Sequence, residues 1–358
     1  MPWRACLRRA ASTRPRSGRR VAAVAPAQEF GTVELRGGDA RVVIVPALGG
    51  KISELWFGER QWLWKNPQLP FRMPEAGASY GLTADSGGCD ECFPTAGACT
   101  LPSLVRGAGG RALPDHGELW SQQPDLTITT EAQGHRAHLV WTGECLPYRF
   151  ERSVLVTHAG TVRCEYAATN LGTLRIPFVW SAHPLLPLTK ATRVVLPPGA
   201  RVRVWTEHGV DLGGVAAEHR WPRLRSGGQM LDVSVPGSTR KKSYACKLFV
   251  DLPPGDQAVS VVEGDTMLTA RFDAAQVPHV GLWINHGGWN PLPKTSWLPW
   301  RKPASYHNLA LEPAIGAPDT LSDALGAWGS ASWLEAGETR LWTITWSGGA
   351  TPLPVPAR

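Results

Sequence analysis

An all-β sandwich is the fold class this sequence predicts, and three observations predict it. Short segments of period-two hydrophobicity recur from about residue 30 onward. They are punctuated by 38 glycines and 31 prolines in 358 residues, while charged residues are only 19%. Helical periodicity is confined to one short stretch. Hydrophobic residues reach 43%, enough for a large core, and no linker divides the chain. Residues 29–350 therefore read as a single antiparallel β domain.

Taken in order, the segments 32–38 and 40–50 ("TVELRGG", "ARVVIVPALGG") alternate and then break at Gly or Pro. The same pattern returns at 152–160, 161–170, 192–205, 266–273 and 339–348. The one helical candidate is "DTLSDALG" (319–326), about two turns with Asp319 as its N-cap. Ahead of the domain, residues 1–28 hold seven arginines and no acid. Without them the remainder balances thirty basic against thirty acidic residues, so the net charge of +7 belongs to the arm. A neutral domain has no electrostatic footprint for nucleic acid. The arm is a disordered extension or an upstream start, with organelle import as the alternative. Residues 351–358 read as a tail. No apolar run is long enough for a membrane span, and a cytoplasmic location is expected. Seven scattered cysteines argue for a reducing compartment rather than a disulfide framework.

Four stretches carry candidate chemistry. "ADSGGCDECFPT" (84–95) is a Gly-rich turn followed by Cys89 and Cys92, which lack a second ligand pair and read as buried structural thiols. "LPDHGELW" (113–120) places His116 before a glycine. "VWSAHPLLPL" (179–188) ends an apolar run at His183, with Pro184 fixing the exit. "LEPAIGAPD" (311–319) sets Glu312 between an apolar run and Pro313. A lone histidine in a turn is usually a satisfied polar group. Together, the two histidines and the glutamate suggest an acid and a base delivered from separate strand ends to one concave face. His286 and His307 have no metal-site spacing, and no metal or cofactor is expected.

With these residues in view, the chain resembles the aldose 1-epimerase family of the galactose mutarotase-like superfamily. The resemblance spans most of residues 30–348 and rests on "DHGELW", "SAHPLLPL" and "ALEPAIGAPD" in that order. It implies a large antiparallel β-sandwich, a supersandwich, that binds a sugar and interconverts its α and β anomers without a cofactor. It further implies that Glu312 is the base, His183 the acid, and His116 a partner near the ring oxygen. The "GGCDECFP" segment is similar to the hexose-6-phosphate 1-epimerase branch. Where that branch carries arginines this chain has Ser86 and Trp120, so an unphosphorylated sugar is expected.

The sugar-contacting set is expected among Asp90, Glu91, Trp180, Lys247, Trp283 and Asn285. Tryptophans at 180, 283 and 289 offer flat faces to a pyranose. Lys247 interrupts an apolar run; alternation allows it the cleft, and more simply the solvent face. The alternative function is a non-catalytic sugar-binding module on the same fold. A hydrolase would need a second carboxylate, for which Asp90 and Glu91 are the available residues.

Overall fold

The computed structural model describes residues 27–351 apart from 74, 76, 198, 240–242 and 292–305. The arm up to residue 26 and the tail from 352 lie outside these. Every period-two segment named above forms strand. The helical stretch is shorter than expected: α1 is Leu321–Leu325, and its N-cap is Thr320, whose side chain accepts from the Asp323 amide. Asp319 is released from capping and serves elsewhere.

Among the described residues, two large antiparallel sheets make up the domain. The smaller has eight strands and includes Tyr148–Thr157, Val162–Asn170 and Thr339–Ala350. The larger has thirteen. Six strands at its centre matter for function: β1 (Lys51–Phe57), β2 (Cys89–Cys92), β3 (Trp180–Pro187), β4 (Tyr244–Asp251), β5 (His279–His286) and β6 (His307–Ile315). Their spatial order is β1-β2-β3-β6-β5-β4.

Alternation assigns their two faces. Leu248, Val250, Leu282, Ile284, Leu309 and Leu311 enter the main core against the smaller sheet. The intervening positions point the other way. There Leu185 and Ala310 pack with Trp64 and Tyr306, flanked by Trp283 and Trp289. Both faces of β3 are therefore covered, which is why seven of its eight residues are buried.

The core face also holds a buried ion pair. Arg152, from the smaller sheet, meets Glu91 of β2 at 3.0 Å. Glu91 accepts further bonds from Tyr166 (3.1 Å) and Trp180 (2.9 Å). The Trp180 ring lies against Tyr166 and Trp342. This cluster ties one sheet to the other. It corrects two sequence expectations: Glu91 and Trp180 face the inter-sheet core and cannot contact a sugar on the opposite face.

Candidate active site

The site is built on the outer face of the larger sheet. The pair Ile52↔Cys89 brings Lys51 opposite Asp90, and Asp90 pairs with His183. Ser181↔Ala314 and Leu185↔Ala310 bracket His183 and Glu312, leaving these two opposite each other. Glu312 in turn pairs with Gly281. One residue per strand thus lines up across the sheet. Sequence reasoning put His183 and Glu312 at strand ends because prolines follow both. Both lie within strands instead. Pro184 and Pro313 have no N–H to offer, and the β3–β6 ladder is interrupted between the bracketing pairs. The two residues occupy that gap.

Glu312 is 1% exposed and His183 9%. His183 Nε2 lies 3.6 Å from Glu312 Oε1. The other carboxylate oxygen, Oε2, receives a charge-assisted bond from Lys247 at 2.5 Å. Lys247 also meets Asp319 at 3.2 Å. Glu312 Oε1 and His183 Nδ1 are buried and have no hydrogen-bond partner among the described residues. Burial pushes the Glu312 carboxyl above the usual range, and the Lys247 ammonium opposes this. Burial pulls the His183 imidazole well below its ordinary value, and the charges of His116, Lys247 and Lys51 pull the same way. His183 is therefore neutral near pH 7.

His116 approaches from a turn laid over the strands. Its amide donates to Ala96 and that of Glu118 donates to Phe93. Gly117 makes this turn possible: its φ is +70°, and a Cβ there would lie 2.2 Å from the Phe93 carbonyl oxygen. This is the physical basis of the His-Gly pair. His116 stacks on Tyr80 (3.8 Å between centroids) and sits edge-on to His183 (5.0 Å). Burial lowers its pKa, but Asp115 at 3.1 Å, helped by Asp319 and Asp85, outweighs burial and raises it overall. His116 is the histidine that the site charges more readily.

Of the expected sugar-contacting residues, Asp90, Lys247 and Trp283 face the site. Asp90 Oδ2 is held by Lys51 and by the Tyr80 hydroxyl (2.6 Å), while Oδ1 is buried without a partner among the described residues. Trp283 donates to Asn308 at 3.1 Å and forms a wall with Trp289. Asn285 is a correction: its carboxamide is committed to the backbone of Gly288 and Trp289 and fixes that turn. Lys247 takes the cleft rather than the solvent face that alternation also allowed, and it is buried in the site. Lys51, Tyr80 and Asp115 were not singled out from sequence, and Asp319 was read only as a helix cap. Lys51 carried one usable signal, a cation directly after Gly49-Gly50 at the start of a strand. Cys89 and Cys92 are buried free thiols. Cys89 packs in the main core. Cys92, three strand positions on, points to the opposite face, so the two cannot join.

No family model and no curated protein matches the chain. Solved structures do. A protein of Synechocystis sp. PCC 6803 superposes with a TM-score of 0.60 at 18% identity, over 89% of this chain and 96% of that one. A candidate aldose 1-epimerase from Escherichia coli gives 0.59 at 16%, over 89% and 99%. A galactose mutarotase related enzyme from Lactobacillus acidophilus gives 0.59 at 13%, over 91% and 100%. The fold is the galactose mutarotase-like β-sandwich. This likeness shows the fold and does not single out the hexose-6-phosphate branch.

Proposed function

We propose that the chain is a mutarotase-like isomerase that interconverts the anomers of a free sugar. The observation that supports this best is the asymmetry of Glu312. One of its oxygens is held by Lys247, and the other is buried, unpartnered and 3.6 Å from an imidazole nitrogen. A base with one free oxygen beside a histidine is the equipment that hemiacetal opening needs.

In this mechanism Glu312 Oε1 takes the proton of the C1 hydroxyl. The C1 oxygen becomes a carbonyl oxygen as the bond between C1 and the ring oxygen breaks. That bond's electron pair stays on the ring oxygen, which takes a proton from His116. His183, neutral, donates a hydrogen bond to the forming carbonyl oxygen. Rotation about C1–C2 presents the other carbonyl face, and the same steps in reverse close the ring. This exchanges the histidine roles expected from sequence, because Asp115 favours a proton on His116 while burial disfavours one on His183. Trp283 and Trp289 supply an apolar wall for the sugar, and Asp90 Oδ1 a hydrogen-bond acceptor.

The test is anomer exchange followed by NMR over a panel of sugars. Glu312→Gln should lose about 10²–10⁴ in kcat and stay folded. Near wild-type exchange by that variant would refute the mechanism. His116→Asn should abolish the alkaline limb of the pH–rate profile, whereas His183→Asn should slow turnover and keep that limb. A free aldose should be preferred to its 6-phosphate. The opposite preference would point to Arg72 and Lys51, which line one small cavity with Ser86 and Trp120.

A sugar-binding module is the second reading. It is favoured by the way most charged groups of the site are already paired within the protein. Sugar binding with no acceleration of anomer exchange would establish it.

A further inference from the structure

The Lys247–Glu312 contact crosses a whole strand. Lys247 is on β4 and Glu312 on β6, with β5 between them. Neighbouring strands lie about 4.8 Å apart. An ammonium can span two such intervals only if the middle strand offers no obstacle. The β5 residue opposite Glu312 is Gly281, while Lys247 is opposite Trp283, two positions along. The lysine stem therefore runs diagonally over the glycine. A Cβ at Gly281 would lie 3.1 Å from both Glu312 Oε2 and Lys247 Cε, and 3.3 Å from Nζ. Any larger side chain would occupy the path itself. Gly281 is needed here for space.

Asp319 completes the arrangement. Its carbonyl accepts from the amides of Ala96 and Gly97, both at 2.8 Å, which anchors the loop after β6 to the segment after β2. From that anchored loop its carboxylate also holds the Lys247 ammonium, at 3.2 Å. Two of the three ammonium donors are thus committed to carboxylates.

We propose that Lys247, reaching over the notch at Gly281, is a positioning residue that fixes Glu312 with Oε1 toward the sugar and holds it ionised, without itself contacting the sugar. This rests on the assignment of Glu312 as base. The groups that face Glu312 are Lys247 from β4, Asp319 from the loop after β6, His183 from β3, His116 from its turn, and Cys92 from β2. Lys247 is the cation bonded to it. Removing that charge leaves a desolvated carboxylate beside Asp319, so the carboxyl must hold its proton to higher pH.

The experiment follows the Glu312 side-chain carboxyl by ¹³C NMR against pH, assigned by its loss in E312Q, alongside kcat and KM for anomer exchange. In K247M the carboxyl should titrate at least about one pH unit higher than in the wild type. The acid limb of kcat should move up with it, and kcat at neutral pH should fall about tenfold or more, with KM within about threefold. An unmoved titration overturns the proposal. So does a KM raised tenfold with kcat kept, which would make Lys247 a sugar contact. G281A keeps both charges while forcing them apart, and should shift the carboxyl in the same direction. It decides the question if K247M does not fold. A wild-type protein that exchanges no anomers would sink the mutarotase reading alone, because the titration still reports on Lys247.

Discussion

At the scale of single residues, the site is a set of groups whose charge is set by what surrounds them. Asp85 shows this most simply. It is buried with Oδ1 unpartnered. Burial pushes its carboxyl up to about 6, against an ordinary 3.8, although His116 and Lys51 pull the other way. Below about pH 4 the group is protonated in folded and unfolded chains alike. As pH rises toward 6 the unfolded chain ionises first, so folding stability falls, by up to about 3 kcal/mol in all. Asp85→Asn has no proton to lose. Its unfolding free energy relative to the wild type should rise by that order between pH 4 and pH 7 in urea titrations, and a pH-independent difference would contradict the assignment. Little of this scale was legible in the sequence. Glu312 and His183 stood out because each has an apolar run before it and a proline after it. Lys247 was noticed as a break in an apolar run and Asp319 as a helix cap, but neither was placed beside Glu312, because the contacts that define them join residues 65 and 72 positions apart.

At the scale of strands, existence was more legible than facing. The period-two segments fell on strands, and the runs before His183 and Glu312 were read as strand, but Lys51–Phe57, Cys89–Cys92 and His279–His286 were not singled out. The face of a given residue follows from alternation only when one face is wet. β3 is buried on both faces, so nothing in its sequence separates core-facing Trp180 from site-facing His183. Strand ends were misjudged because proline usually terminates a strand, whereas a gap in the ladder tolerates it. The Arg152–Glu91 pair offers a test of the corrected facing. Arg152→Met strands a carboxylate between the sheets and should cost about 3–5 kcal/mol in chemical denaturation. If Glu91 serves the core, the folded fraction of that variant should retain its KM for sugar. A large rise in KM without loss of stability would return Glu91 to the binding site.

At the scale of the molecule, the sandwich was legible from composition and periodicity together, and the solved structures share it at 13–18% identity. That is the expected behaviour of a fold specified by patterning rather than by particular residues. Every element that positions the site lies between β1 and α1. Removal of residues 1–26 should therefore leave both the melting temperature and anomer exchange unchanged. A drop of more than about 4 °C, roughly 1 kcal/mol or more for a domain of this size, would show that the arm packs on the sandwich.

The row formed by Lys51, Asp90, His183, Glu312 and Gly281 has a consequence for how the chain finds its pairing. Side chains alternate, so sliding β6 by a single residue would turn the Glu312 carboxylate into the hydrocarbon between the sheets and bring Leu311 or Pro313 out in exchange. A lone charge buried there costs several kcal/mol. Shifting β5 likewise would replace the glycine at the notch with Val280 or Leu282 and close the path of the lysine. The residues proposed to open a sugar ring thereby act as a ruler for the sheet: only the alignment that assembles the site keeps its charges out of the core.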